Sequence, residues 1–195
     1  GRFLVFRAVS VDAEHDGYAS DLFLLESATG AERRLTSSGN VFSFFFENEN
    51  TSAYPLFDES GARVEGLDIE TGETRGLFSL SFPVFSVKKL SEGRYLLAHV
   101  LDHNDPEPAD ACWKPEDFLV AEEHPFVLDG AGYVNRVRRA LSFYDAAGGE
   151  TALLSEPMFD VACFDARENL VCFCGCAYDA LRPMGNRIML YDLAS

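Results

Sequence analysis

Three stretches of the chain repeat one pattern, in which an apolar run ends on an acidic residue, turns tightly through glycine and leads away into a second run. They are FLLESATGAERRLT at 23–36, GLDIETGETRGLF at 66–78 and SFYDAAGGETALLS at 142–155. Gly30 and Gly72 lie 42 residues apart, which is the period of a β-propeller blade. A hairpin between a blade's third and fourth strands passes through positive φ, where a Cβ would clash, so Gly30, Gly72 and Gly149 are predicted turn residues. The neighbouring Asp or Glu is placed to cap turn amides.

The same register locates the remaining strands. Apolar runs of five to eight residues, rich in Phe, Val, Leu and Tyr, are separated by Gly, Asn, Asp, Ser or Pro, the mark of strands between turns. Second strands fall at 1–6, 51–57, 93–100 and 168–174, and first strands at 41–46, 83–89 and 158–164. Residues 186–195 form the fourth copy of the third strand. Three, four, four and three strands make fourteen, which predicts an all-β chain: a β-propeller segment of about three and a half four-stranded blades. It is read as a single partial propeller domain over 1–195, with blade remnants 1–36, 41–78, 83–155 and 158–195, and as a segment of a longer propeller. The one helix candidate is WKPEDFLVAEEH at 113–124, where Pro115 suits a first turn.

Charge and cysteine usage narrow the function classes. Against 16 Lys and Arg stand 32 Asp and Glu, a formal charge of −16, which argues against nucleic acid or an anionic membrane as a partner. No apolar run reaches the ~18 residues of a membrane span, and no signal-peptide pattern opens the chain. Because the sequence starts at Gly1 instead of Met, a processed, secreted origin stays open beside a cytoplasmic one. Of five cysteines, Cys172, Cys174 and Cys176 alternate along one run, placing three sulfurs on one strand face. That spacing suits neither a disulfide nor a zinc site, and no second ligand pair is visible. The cysteines are therefore expected to be buried, unpaired and metal-free fillers in a reducing cytoplasm, with no cofactor.

One blade departs from the period through an insertion at 102–138. Its core, HPFVLDGAGY, sets Pro125 beside Phe126 and then Gly130 and Gly132, ahead of an LSFYD strand and a GGET turn. This arrangement resembles the propeller of the prolyl oligopeptidase family, above all its acylaminoacyl-peptidase and dipeptidyl-aminopeptidase-like bacterial members. Blades of that family end in Thr-Gly-x-x-x-x-Leu-Thr. Thr29, Gly30, Leu35 and Thr36 match this ending; Thr71 and Gly72 match its first half, with Leu77 followed by Phe78; Gly148 and Gly149 precede Leu154 and Ser155. The resemblance implies that activity resides in an α/β-hydrolase domain with a Gly-x-Ser-x-Gly elbow. This sequence holds no such elbow, so no catalytic residue carries over. What is implied for these residues is a cap that filters peptide substrates by size. The strand count separately leaves two unpaired sheet edges, which the remainder of a parent chain or self-association is expected to cover.

Several residues remain as site candidates. Family propellers can hold a substrate amine on carboxylates, which draws attention to Glu122 and Glu123; a solvated acidic pair is the alternative. Trp113, near Phe118, is either a peptide contact or packing for the insertion. His99, Asp102, His103 and Asp105 carry metal-ligating groups, but their spacing straddles a strand end, and His99 reads better as a blade-surface residue. Two other functions suit the repeat. A stand-alone interaction propeller needs no insertion signature, and a carbohydrate-active propeller needs inward carboxylates, whereas the acids here fall at turns.

Overall fold

The computed structural model describes residues 2–14, 16–58, 60–104, 120–128 and 132–194, and every regular element among them is a strand. The first sheet holds β1 (Phe3–Asp12), β2 (Gly17–Glu26) and β3 (Glu32–Arg34). The second holds β4 (Phe45–Asn48), β5 (Thr51–Asp58), β6 (Gly61–Asp68) and β7 (Thr74–Leu80). Next come β8 (Val84–Ser91), β9 (Arg94–Asp102), a small hairpin of β10 (Val127–Leu128) with β11 (Gly132–Tyr133), then β12 (Val137–Asp145) and β13 (Glu150–Leu153). β8, β9, β12 and β13 make the third sheet, in the order β13-β12-β9-β8. The fourth holds β14 (Phe159–Arg167), β15 (Leu170–Ala177) and β16 (Arg187–Asp192).

Three, four, four and three blade strands are thus present, and the extra hairpin falls inside the expected insertion. Residues 120–124 are not helical, and the rest of the helix candidate lies outside the described residues, as do Trp113, Phe118, Asp105 and Gly130. The chain divides into two compact units, Gly1–Leu97 with Asp145–Gly149, and Ala98–Tyr144 with Glu150–Ser195.

The repeated turn has one geometry. Gly30, Gly72 and Gly149 sit at φ of 71°, 79° and 69°, and their amides donate to the carbonyls four residues back, on Glu26, Asp68 and Asp145, at 2.9, 2.8 and 2.8 Å. Side chains finish the turn. The Asp68 carboxylate accepts from the Glu70 and Thr71 amides at 2.9 and 2.8 Å, and Asp145 accepts from Ala147 at 2.9 Å. The amide bonds, led by that of Thr71, hold the Asp68 carboxyl below its ordinary value.

The Leu-Thr ending also has a structural cause. The Leu22 amide donates to Thr36 Oγ1 at 2.9 Å while the Thr36 amide returns to the Leu22 carbonyl at 3.4 Å. Leu141 and Ser155 repeat the exchange at 3.2 and 3.3 Å. A hydroxyl here intercepts an amide that the fourth strand would otherwise pair with, and the ladder stops: β3 has three residues and β13 four. In the second sheet Phe78 occupies the position, pairs in register with Val64, and β7 continues for seven residues to Leu80.

Within the first unit, Leu22, Val41, Tyr54 and Leu67 form one buried cluster, and Val5, Leu24 and Ile69 another. Leu35 and Phe44 touch both clusters, so the apolar filling continues from the first sheet to the second. Each such side chain contributes roughly 1.5–3 kcal/mol when fully buried. Polar groups near this core are paired: Lys89 Nζ meets Glu47 Oε1 at 2.6 Å and the Tyr95 hydroxyl donates to Glu47 Oε2 at 3.2 Å.

The cysteines depart from expectation. Among the described residues only Cys176 is buried; Cys172 and Cys174 are half-buried and Cys163 is exposed. The reason is their sheet: Cys172 and Cys174 stand opposite Leu190 and Ile188 of β16, which are 68% and 75% exposed, so this stretch of the β15 face carries no packed layer, whereas Cys176 lies past the last β16 pair.

The Thr36 hydroxyl also donates to Asp21 Oδ1 at 2.7 Å. Thr36→Val keeps the shape and removes both bonds, leaving a buried amide and a buried carboxylate each short of one partner. A loss of about 1–3 kcal/mol is expected in urea unfolding. A loss below ~0.5 kcal/mol would show that the hydroxyl does not hold this junction.

Candidate functional site

The insertion is the feature that sets the third blade apart, and polar side chains close its base. Asp102 Oδ1 accepts from the Asn104 amide and from its Nδ2, at 2.9 and 2.7 Å. Asn104 Nδ2 also donates to the Asn135 carbonyl at 2.8 Å, and Asn135 Nδ2 donates back to Asn104 Oδ1 at 3.1 Å. The outgoing and returning arms are therefore stapled where they leave the sheet. Asn135, fully buried, uses its Oδ1 to accept the amides of Glu122 and Glu123 at 2.8 and 3.3 Å. Its neighbour Arg136 adopts φ of 54° and bonds His103 at both backbone ends, accepting its amide on a carbonyl at 3.0 Å and donating Nε to its carbonyl at 3.2 Å.

Deeper lies an ion pair with no exposure on either side chain, Arg138 with Glu123. Two parallel bonds join them, Nη1 to Oε1 at 2.8 Å and Nη2 to Oε2 at 2.5 Å, the fork geometry that arginine offers a carboxylate. Arg138 also donates to the Tyr178 carbonyl at 2.8 Å and the Met158 carbonyl at 3.3 Å, and its guanidinium lies 3.8 Å from the centre of the Tyr178 ring. One side chain on β12 thus ties the insertion to the start of β14 and the end of β15. Burial pushes the Glu123 carboxyl up, but the Arg138 hydrogen bonds and the Arg136 amide outweigh it and hold the group below its ordinary value. Beside the pair, Asp160 receives Arg139 at 3.2 Å and Arg182 at 3.1 Å, and His124 bridges to Leu181.

Glu122 and Glu123, adjacent in sequence, have opposite fates. Glu122 is half-exposed and pairs with Arg136 at 3.0 Å, as a solvated acid would. Glu123 is not solvated, and its two oxygens already serve Arg138 and the Arg136 amide. The metal candidates do not converge. His99 is buried, not on the blade surface, because it points inward from β9 and meets Ser142 Oγ at 2.8 Å. His103 reaches the Pro157 carbonyl at 2.8 Å, and Asp102 is taken by Asn104. Gly132, at φ 73°, begins β11.

Sequence reading missed Arg138, Asn135 and Asp160. The signal was available for Arg138, since it shares strand parity with Ala140, Ser142 and Tyr144, all of them buried. His99 and Ser142 form a nucleophile–base contact, but both are sealed between strands. Open clefts of about 470 and 430 Å3 are lined by other residues, around Phe57 and Arg63 and around Arg2 and Glu70.

Glu123→Gln strands the Arg138 charge in the interior, and a destabilisation of about 3–5 kcal/mol is expected, against less than about 1 kcal/mol for Glu122→Gln. Denaturant titration of both variants is the check; equal losses would refute the assignment. Burial lowers the His99 pKa, so the unfolded chain takes up this proton first. Stability should fall as pH drops below about 6.5, and His99→Gln should remove that part of the decline. The Glu123 contribution is full above about pH 4.3 and is lost only below it, as pH falls through the lowered native value. The two declines therefore separate in an acid titration.

No family model and no curated protein matches this sequence. Solved structures match by fold. The acylaminoacyl peptidase of Pyrococcus horikoshii superposes with a TM-score of 0.68 at 14% identity, over 98% of this chain and 30% of its own. TolB from Acinetobacter baumannii gives 0.52 at 11% identity, over 97% of this chain and 38% of its own. The β-propeller domain of the trilobed protease from Pyrococcus furiosus gives 0.50 at 9% identity, over 98% and 65%. This chain therefore spans less than a third of the peptidase that it matches, and at these identities what is shared is the fold. With sheets of three, four, four and three strands, the chain is a β-propeller segment of about three and a half blades.

Proposed function

We propose that this chain is the non-catalytic β-propeller part of a serine peptidase of the prolyl oligopeptidase family. In this reading it covers an active site carried by a hydrolase domain outside these residues and admits peptides by size. The observation that supports it is the fold likeness to acylaminoacyl peptidase over 98% of this chain, together with the blade endings and insertion motif of the sequence. The Ser142–His99 contact is buried between strands; in this reading the contribution of the chain is steric, the gating of access to a reaction carried out elsewhere. The compartment proposed is the cytoplasm. A second reading, an interaction propeller that serves no enzyme, suits the same propeller fold.

A fluorophosphonate probe separates the two. Applied to this chain alone it should label no serine, and applied to the product of the full gene it should label one serine downstream of residue 195 in a Gly-x-Ser-x-Gly context. That product should then cleave short peptides and spare folded proteins. A full product that takes no label, or a label within 1–195, would overturn the peptidase reading.

The proposed partner is the remainder of the parent chain or a second copy, seated on exposed apolar strands. Leu4 on β1 is 55% exposed and Leu190 on the edge strand β16 is 68% exposed. Leu4→Asp and Leu190→Asp should each change folding stability by no more than ~0.5 kcal/mol yet weaken association in sedimentation equilibrium. Association unchanged in both variants would place the partner elsewhere.

A further inference from the structure

The fourth sheet holds two thiols in register. Cys163 on β14 stands directly opposite Cys174 on β15, and their Sγ atoms lie 3.3 Å apart. Residues opposed in this way have Cα atoms about 4.5–5.5 Å apart, inside the range of about 4.4–6.8 Å that a disulfide tolerates. Side-chain rotation alone closes the remaining gap to the S–S bond length of about 2.05 Å. Cys163 is exposed, so an oxidant reaches it from solvent. Among the described residues the competing pairings are poorer. Cys172 faces Asp165 across the ladder and stands two residues from Cys174 along one strand, about 6.6 Å, at the limit of that range. Cys176 is buried.

We propose that Cys163 and Cys174 are a redox-active pair that a hydroperoxide converts into a cross-strand disulfide. The Cys163 thiolate attacks one peroxide oxygen; an S–O bond forms, the O–O bond breaks, and the departing hydroxide of hydrogen peroxide is protonated to water. Cys174, as thiolate, then attacks the sulfenic sulfur of Cys163. The S–S bond forms, the S–O bond breaks, and the leaving hydroxide takes up the proton that Cys174 released. Two thiols lose two electrons in total and one peroxide becomes two waters, while a dithiol reductant reverses the step. The hydrogen bond shared with Cys174 holds the Cys163 thiol above its ordinary value, so oxidation quickens as pH rises. The bond would lock β14 to β15, the two strands that supply Met158, Asp160 and Tyr178 to the anchor of the insertion from their adjoining ends.

The test is a thiol count on the denatured chain before and after hydrogen peroxide. The reduced protein has five thiols; the oxidised protein should have three, with a peptide joining Cys163 to Cys174 in mass spectrometry. Cys163→Ser should keep its four remaining thiols under the same treatment, Cys174→Ser should form no disulfide and stop at a Cys163 sulfenic acid that dimedone captures, and Cys172→Ser, the folding control, should fall from four to two. Because the disulfide closes a short loop, the oxidised wild type should melt higher than the reduced form by roughly 5 °C, and Cys163→Ser should show no such rise. Peroxide that leaves all five thiols, a sulfenic acid at Cys163 that dimedone captures while Cys174 stays reduced, or a disulfide mapped to another pair or between two chains would each overturn the assignment.

Discussion

The middle strands of these sheets are buried along continuous runs, and this constraint organises the rest. Ser52 to Pro55 on β5, Tyr95 to His99 on β9 and Ser20 to Leu22 on β2 are buried at every successive residue. A strand with one wet face would alternate; burial at consecutive positions means both faces are covered. Such strands read as unbroken apolar runs, which is why the chain looks so rich in Phe, Val and Leu while carrying a charge of −16. The charge has to sit at the turns and the outer strands. Any polar group that does fall on a middle strand must be satisfied where it stands, because an unpaired one costs about 1–3 kcal/mol. No buried side-chain nitrogen or oxygen among the described residues lacks a partner.

That requirement explains the devices that recur. Ser20 gives its hydroxyl proton to the Val41 carbonyl at 2.6 Å, and Asp21 collects Thr36, the Gly39 amide and Arg34. Thr36 and Ser155 end their ladders by the same exchange of bonds. The replacement by Phe78 shows that the hydroxyl is one of two workable solutions. Where an apolar side chain fills the position, the amide finds its partner in a longer strand instead. A motif whose function is to satisfy one amide tolerates that degeneracy, and its signature in sequence weakens accordingly.

Turn chemistry is local, and for that reason the sequence reveals it. A positive φ favours glycine whatever lies across the sheet, so the 42-residue spacing of Gly30 and Gly72 was enough to place strands such as β5 and β9. The anchor of the insertion was not legible in the same way. Glu123 and Arg138 are fifteen residues apart, and Asp160 with Arg182 twenty-two, separations at which no spacing rule applies. Parity along β12 marks Arg138 as inward-facing but does not say which of many acids meets it. Both readings of the adjacent acids, a substrate-amine site or a solvated pair, treat them alike, although two neighbours on an extended chain point to opposite sides, one to water and one to the interior. The cysteines were misjudged for a related reason: alternation says which sulfurs share a face, and only the neighbouring strand says whether that face is covered.

The distribution of polar partners also limits how the insertion can meet anything else. Glu123, Asn135 and Arg138 are consumed in holding its base, and Asp160 is consumed by two arginines. Moving any of these groups to a peptide would break a buried bond and leave its partner charged or unpaired in the interior, a penalty that a single surface contact does not offset. What the described part of the insertion leaves exposed is chiefly apolar: Phe126, Val127 and Leu128, at 43%, 53% and 39%. Leu181, 72% exposed, lies beside them through the His124 bridge. A partner that engages this side of the second unit therefore does so by burying side chains, with Glu122 as the acid within reach.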